Sequence, residues 1–302
     1  MNRYVKSLSQ QLFDFDQAET AGARLHFRLV EVFLVAYTTW FVWTWGHYIQ
    51  QNIRTVVLPA GIAHYVDISF MFDHFVALGN AALITGLLLL GFFRRWRPAY
   101  GIALLLFHLQ YVSRFCLGKI PHGANLVGMG ILMLGLAHLL YRTGPNRRRF
   151  TFGSLYFFIG LGYVSAAVCK LIGTGLTWPS GQHLLLWITK REVVMLSTFG
   201  AFEPNLLQEL VLQHYHWGTL LLLFGLVVEG MSFLIWIRRY RYYVVLLVVS
   251  MHVGIALTMN IFFAPTTYLL LLLGVPWGRV FDWANEHVPL LRPSRSPAST
   301  AR

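Results

Sequence analysis

Apolar residues in this chain come in blocks of roughly 20, separated by short basic turns, and that spacing constrains the fold before any motif is considered. A helix rises about 1.5 Å per residue, so such a block crosses the roughly 30 Å of membrane hydrocarbon. Apolar residues make up 56% of the 302 and charged residues 12%, with a mean hydropathy of +0.56. Soluble domains carry roughly twice that charge fraction. The chain reads as an all-α, polytopic integral membrane protein, expected in a bacterial inner membrane or its equivalent. Its 16% aromatic content suits interfacial belts of Trp and Tyr.

Eight transmembrane spans are expected, at 29–49, 72–93, 98–117, 124–141, 152–172, 215–237, 242–262 and 265–281. Together they form a transmembrane domain over 29–281. Alternation from a cytoplasmic N-terminus places eighteen of the 24 Lys and Arg inside, in clusters such as Arg94-Arg95-Trp96-Arg97, Arg147-Arg148-Arg149 and Arg238-Arg239-Tyr240-Arg241. Five fall outside, namely Arg54, Arg114, Lys119, Lys190 and Arg191, and Lys170 lies within a span. That bias predicts an N-in, C-in orientation. The same arrangement explains the net charge of +12 without nucleic acid, because the basic residues lie between apolar blocks and not on one face.

Residues 1–28 are expected to form an amphipathic cytoplasmic lead-in, with Leu8, Leu12, Phe13 and Phe15 as anchors and the first span as insertion signal. The outer loop 173–214 is expected to carry interfacial helices, one opening at Ser180 through HLLLWITKREVVML and a short one after Pro204. Residues 282–302 read as a cytoplasmic tail, partly disordered. No internal repeat is evident, which weighs against an inverted-repeat transporter.

One charge interrupts this pattern. Lys170, in YVSAAVCKLIGTGLTW, lies about 3 Å below the outer end of its span. Snorkelling to the headgroups would satisfy it. The small residues Ser165, Ala166, Ala167 and Cys169 before it, and Gly173 and Gly175 after it, favour a packed setting. An amine desolvated there would serve as a general base.

Depth selects its expected neighbours: His108, with Gln110, Tyr111 and Arg114 on the same helix; His122 and Asn125 opening the fourth span; His252 and Asn260 on the seventh. Tyr163, seven residues before Lys170, shares its helix face. Glu229 lies nearer the cytoplasmic end, about 12 Å against 21 Å. That depth separates it from Lys170 and suggests a structural role, paired with a basic residue or a helix end, with His138 and Glu31 as candidates for the same network. No metal site is expected, since His214-x-His216 lacks a third ligand. Cys116 and Cys169, both near outer helix ends, are expected as buried thiols, with a redox pair as the other reading.

Three stretches, in order, resemble the HTTM (horizontally transferred transmembrane) domain family, whose best-known member is the vitamin K-dependent γ-glutamyl carboxylase. They are FDFDQAETAGARLHFRLV, matching at Asp16 and Phe27-Arg28; YVSAAVCKLIGTGLTWPSG, placing Lys170 on the family's lysine; and EGMSFLIWIRRYRYYVVLLVVSMHVGIALTMNIFFAP, matching Glu229, Arg241, His252 and Phe263. The resemblance implies that Lys170 deprotonates reduced vitamin K or a related quinol, which reacts with O2 to give a strong base. That base removes a γ-proton from glutamate, and CO2 adds to the carbanion, as in a quinol-dependent lyase or oxygenase. Lys170, His122, Asn125 and His108 are then the expected catalytic residues, and Tyr163, Tyr111, Trp178, His252 and Asn260 the cofactor-binding ones. Arg28, Glu229 and Arg241 take structural places. Implied partners are membrane lipid, the quinol, and a peptide or protein substrate on the outer side.

There are departures from the family pattern. Where the carboxylases carry an Asn-His pair, the text here is His122-Gly-Ala-Asn125. The carboxylases also carry a large substrate-binding domain beyond the spans, whereas 282–302 form only a short tail, so the resemblance is expected to extend to the membrane chemistry and not to peptide carboxylation. Two other readings stand beside it. One is a non-enzymatic scaffold or maturation factor that binds a partner through the outer loop. The other is a transporter with Glu229 and His252 as proton carriers.

Overall fold

The structure, a computed structural model, describes residues 3–13, 19–48, 58–117 and 122–287. Every element of regular structure among them is helical. The α-helices are α1 (Arg3–Leu12), α2 (Ala21–Tyr48), α3 (His74–Phe92), α4 (Ala99–Cys116), α5 (Asn125–Leu140), α6 (Gly144–Thr174), α7 (Gly181–Phe199), α8 (Leu206–Gln213), α9 (Tyr215–Gly230), α10 (Arg241–Met259), α11 (Ala264–Gly274) and α12 (Trp277–His287). Five segments are long and apolar enough to cross a membrane: Ala21–Tyr48, His74–Phe92, Gly144–Thr177, Tyr215–Trp236 and Arg241–Met259. This is the construction of a multi-pass helical membrane protein.

Consecutive helices from α2 to α6 pack side by side, and α9, α10 and α11 close the bundle against α6 and α5. The shared core runs through Leu34, Ile84, Leu88, Ile131, Leu155, Val245, Val248 and Leu269, all fully buried. Hydrogen bonds gather the basic turns at one end of this bundle. Arg97 Nε donates to the His138 carbonyl at 2.8 Å, tying the start of α4 to the end of α5. His26 Nε2 lies 2.7 Å from the Leu272 carbonyl, tying the start of α2 to the end of α11.

Several helix ends differ from the sequence expectation, each for a local reason. The first span starts at Ala21 and not at 29, because the polar residues of its first turns have partners inside the protein. Gly22 N–H donates to Asp282 at 2.7 Å, and Arg28 donates to Glu31. A hydropathy reading counts such residues as loop. The lead-in helix α1 is likewise docked on protein as well as amphipathic. Leu12 joins the main core, Phe13 stacks on Phe150, and Gln11 accepts from Arg241 and from the backbone N–H of Arg238. Phe15 lies outside the described residues.

Helix α6 absorbs the basic run 147–149 and begins at Gly144. The eighth span is broken: α11 ends at Gly274, and after Pro276 the amphipathic α12 runs back along α2. Proline lacks the N–H that would continue the ladder. The expected tail at 282–302 therefore starts as helix to His287, and residues beyond that lie outside the described ones. In the outer loop both expected helices form, as α7 and α8. Ser180 occupies the cap position of α7 without capping it, whereas Asn205 and Gln208 form a capping box at the start of α8.

The sixth expected span, 215–237, changes character partway. Helix α9 ends at Gly230 and tightens into a 3-10 segment, Met231–Trp236. This segment lies against Gly160 of α6, where Trp236 Nε1 donates to the Phe157 carbonyl at 3.1 Å. A Cβ at Gly160 would stand 2.5 Å from that indole nitrogen and 2.8 Å from Ile235. Gly160→Val is therefore expected to cost about 3 kcal/mol, read from the unfolding midpoint in detergent, because neither backbone can retreat from a filled interface.

Candidate functional site

Lys170 is not alone. Its Nζ donates to both carboxylate oxygens of Glu229 at 2.6 Å each, linking the C-terminal half of α6 to the last turn of α9. The sequence expectation that depth separates these residues is overturned by this contact, through side-chain direction and helix register together. Phe157 meets Trp236 while Lys170 meets Glu229, so the two segments run antiparallel. The Cα–Cβ bond of a helical residue tilts toward its own N-terminus. Lys170 therefore reaches down toward the middle of the bundle and Glu229 reaches up. Side-chain direction closes only part of the roughly 18 Å between the two expected depths; the register of α9 and its 3-10 continuation against α6 supplies the rest.

Trp178 covers the amine. Gly175 ends α6 at a φ of 67°, in the left-handed region that glycine adopts without strain, and the chain turns back on itself. The Trp178 ring then lies over Lys170 with its centroid 4.5 Å from Nζ, a cation–π contact. Glu229 is buried, and the Lys170 side chain is 30% exposed. The amine is thus held inward by its partner while part of its shaft faces outward.

Two turns closer to the core on the same face of α6, the Tyr163 hydroxyl lies 2.6 Å from His252 Nε2 on α10. Glu229 lies near enough to Tyr163 to act on it by charge, although no described hydrogen bond joins the two pairs. His252 packs edge-on against Phe263. Its other ring nitrogen, Nδ1, is buried and has no hydrogen-bond partner. Either tautomer leaves a strong polar atom unsatisfied: a bare acceptor when Nε2 carries the hydrogen, a stranded donor when Nδ1 does.

The small residues around Lys170 do not form the packed face expected of them. Ala167 is buried, but Ser165 and Cys169 are exposed, and a Cβ at Gly162 or Gly173 would meet nothing within 4 Å. The C-terminal half of α6 is open on that side, in contrast to its buried N-terminal half. Cys116 is a buried free thiol, whereas Cys169 is an exposed one, contrary to expectation.

The other expected site residues lie elsewhere. Asn125 is exposed and accepts from the Tyr111 hydroxyl at 2.6 Å, and no described contact joins that pair to Lys170. His108 is exposed on α4. His122 opens a 3-10 turn, His122–Ala124, but its side chain lies outside the described residues. Asn260 closes α10 at a φ of 53°, exposed.

Glu31 and His138, expected with Glu229, form a separate network at the basic end. The Glu31 carboxylate accepts from Arg28 at 2.7 Å, from Arg94 at 2.6 and 2.8 Å, and from the Tyr100 hydroxyl at 2.8 Å. Arg94 also contacts His138. Arg241 is buried, with its guanidinium over the Tyr156 ring at 4.4 Å and bonded to the Ile235 and Gln11 carbonyls. Comparison with protein families, with curated proteins and with solved structures finds no match to this chain.

Proposed function

We propose that the chain is a membrane enzyme of the carboxylase-like kind, crossing the bilayer about eight times with its basic end cytoplasmic, and that Lys170 acts as base toward a quinol-like, lipid-soluble cofactor. The observation that carries this reading is the meeting of Lys170, Glu229 and Trp178, with the Tyr163–His252 pair two turns away on the same face of α6 as Lys170.

The residues suit such a group. A quinol is a flat, apolar ring with hydroxyls at opposite edges. Trp178 offers an aromatic surface, Lys170 a nitrogen that exchanges protons, and His252 Nδ1 an unfilled buried hydrogen bond. When bound, the quinol would supply an acidic hydroxyl and two electrons, with O2 and CO2 as the co-reactants that the family resemblance implies. Glu229 lets Lys170 act without standing free. Its oxygens, 2.6 Å from Nζ, are placed to take the ammonium proton, which leaves an uncharged amine beside an uncharged acid. In a low-dielectric setting that neutral pair competes well with the charged one, because neither ion is solvated. Tyr163 and His252 orient a hydroxyl from the core side, in place of the more distant Asn125 and His108.

The test uses protein in nanodiscs with a reduced naphthoquinone. Consumption should exceed the autoxidation seen with protein-free nanodiscs, and Lys170→Ala should reduce the excess at least about a hundredfold, the usual contribution of a general base. No excess over protein-free nanodiscs, or an excess that survives Lys170→Ala, would refute the proposal. Proton-coupled flux without quinol consumption would refute it too, and would make Glu229 and His252 carriers.

A further inference from the structure

At the basic end the chain gathers four arginines around one carboxylate. Arg28 comes from α2, Arg94 and Arg97 from the turn between α3 and α4, and Arg147 from the first turn of α6. All four, with Glu31, lie close enough to act on one another by charge. Glu31 is already committed: its two oxygens are taken by Arg28, Arg94 and the Tyr100 hydroxyl. Arg97 donates to the carbonyls of His138 and Leu139 at 2.8 and 2.9 Å, and Arg147 to those of Arg142 and Thr143 at 3.3 and 3.4 Å. Carbonyl partners satisfy N–H groups, but they cancel no charge. The cluster is left with a surplus of positive charge at a place partly shielded from water.

Positive-inside bias alone would spread these arginines over a solvated surface. Here they converge from three chain segments. Arg94 ends α3 as its left-handed cap, at a φ of 59°, and the turn that follows carries Arg97 to the end of α5. The cluster can be reached from outside: Arg97 is exposed and the Arg28 side chain is 44% exposed. On the same turn Phe93 and Trp96 project outward, as aromatic residues do at the headgroup level, and Leu89 and Leu90 continue an apolar surface up α3.

We propose that this cluster is a binding site for a phosphate-bearing anion, and that the headgroup of an anionic phospholipid of the inner leaflet fills it. A guanidinium fork matches phosphate oxygens two at a time, which lysine or a carbonyl cap cannot reproduce. The acyl chains lie along Leu89, Leu90 and Phe93, while Trp96 marks the glycerol level. This site is at the opposite end of the bundle from Lys170 and does not depend on the quinol reading.

The experiment measures lipid retention by native mass spectrometry, and melting temperature in nanodiscs, for the full chain. Phosphatidylglycerol should be retained and should raise the melting temperature relative to phosphatidylcholine. The double variant Arg97→Gln, Arg147→Gln should weaken retention roughly tenfold or more, given about 1 kcal/mol per basic residue near a charged surface. Arg239→Gln, which removes one charge at the same end outside the cluster, should leave retention unchanged. Should the double variant fail to fold, Arg97→Gln alone gives the same reading at about threefold to fivefold. Equal retention of phosphatidylcholine, or an equal loss with Arg239→Gln, overturns the proposal. If millimolar inorganic phosphate displaces the lipid and raises the melting temperature by itself, the chemistry stands but the lipid assignment is overturned.

Discussion

Replacing Lys170 with methionine should destabilise the protein by about 2 kcal/mol, and replacing Glu229 with leucine in the same chain should restore most of that loss. Removing one partner of a fully buried ion pair costs roughly 3–5 kcal/mol, because the other charge is left uncompensated. The figure here is lower because the Lys170 side chain is 30% exposed, so part of the pair already meets its surroundings. The burial is unequal, and so are the two single variants. Lys170→Met strands a carboxylate whose side chain is only 7% exposed. Glu229→Leu strands an amine on a flexible shaft that can swing toward the headgroups, so its cost should be smaller. With both charges gone, two apolar side chains of similar volume fill the gap.

That non-additivity, measured as a double-mutant cycle in unfolding free energy, separates structure from chemistry. Lys170→Ala on its own cannot do so, since a loss of activity could follow from a loss of fold. The double variant should be folded and should consume no quinol. A double variant that is stable and active would remove Lys170 from catalysis. Simple addition of the two single losses would mean that the pair contributes nothing as a pair.

Long apolar runs and the positions of the basic turns were legible in the residues, because both follow from the solvent and not from packing. The two helices of the 173–214 loop were legible as well, from Ser180 and Pro204, although Ser180 does not cap and the start signal that forms is instead the Asn205–Gln208 capping box. Helix ends were less so. His26 and Arg28 read as loop residues until the carbonyls of Leu272 and Phe92 supply partners far along the chain, and Pro276 splits a run that is apolar on both sides. Within the site, Tyr163 and Lys170 could be placed on one face because both belong to α6. Trp178 came from the family resemblance. Glu229 was expected in a structural pairing, but its contact with Lys170 was missed because depth along a helix axis ignores side-chain direction and the register of the partner helix. His252 could be brought near in depth, but its hydrogen bond to Tyr163 depends on the lateral packing of α6 against α10, which no periodicity records.

Glu31→Gln should be the most destabilising of the single variants, at about 3–5 kcal/mol. Glu31 is fully buried, and its carboxylate is the one negative charge among Arg28, Arg94, Arg97 and Arg147. Glutamine keeps the shape but offers one acceptor oxygen, and it sets an amide N–H₂ against guanidinium donors. Arg94 loses its side-chain anchor, so the turn between α3 and α4, then held by its helix-end backbone bonds to Gly91 and Leu90, should loosen and give the already exposed Trp96 more freedom. Faster quenching of tryptophan fluorescence from the basic side, or hydrogen exchange rising across residues 92–99, would report that local opening. The Lys170 end shares no described contact with this network, so the Glu31→Gln and Lys170→Met losses should add within about 0.5 kcal/mol. Strong coupling between them would mean that the bundle transmits strain from one end to the other and that its two polar groups act as one. A Glu31→Gln loss below about 1 kcal/mol would instead place water, or a bound anion, already among the arginines, and the helix contacts alone would then hold the basic end together.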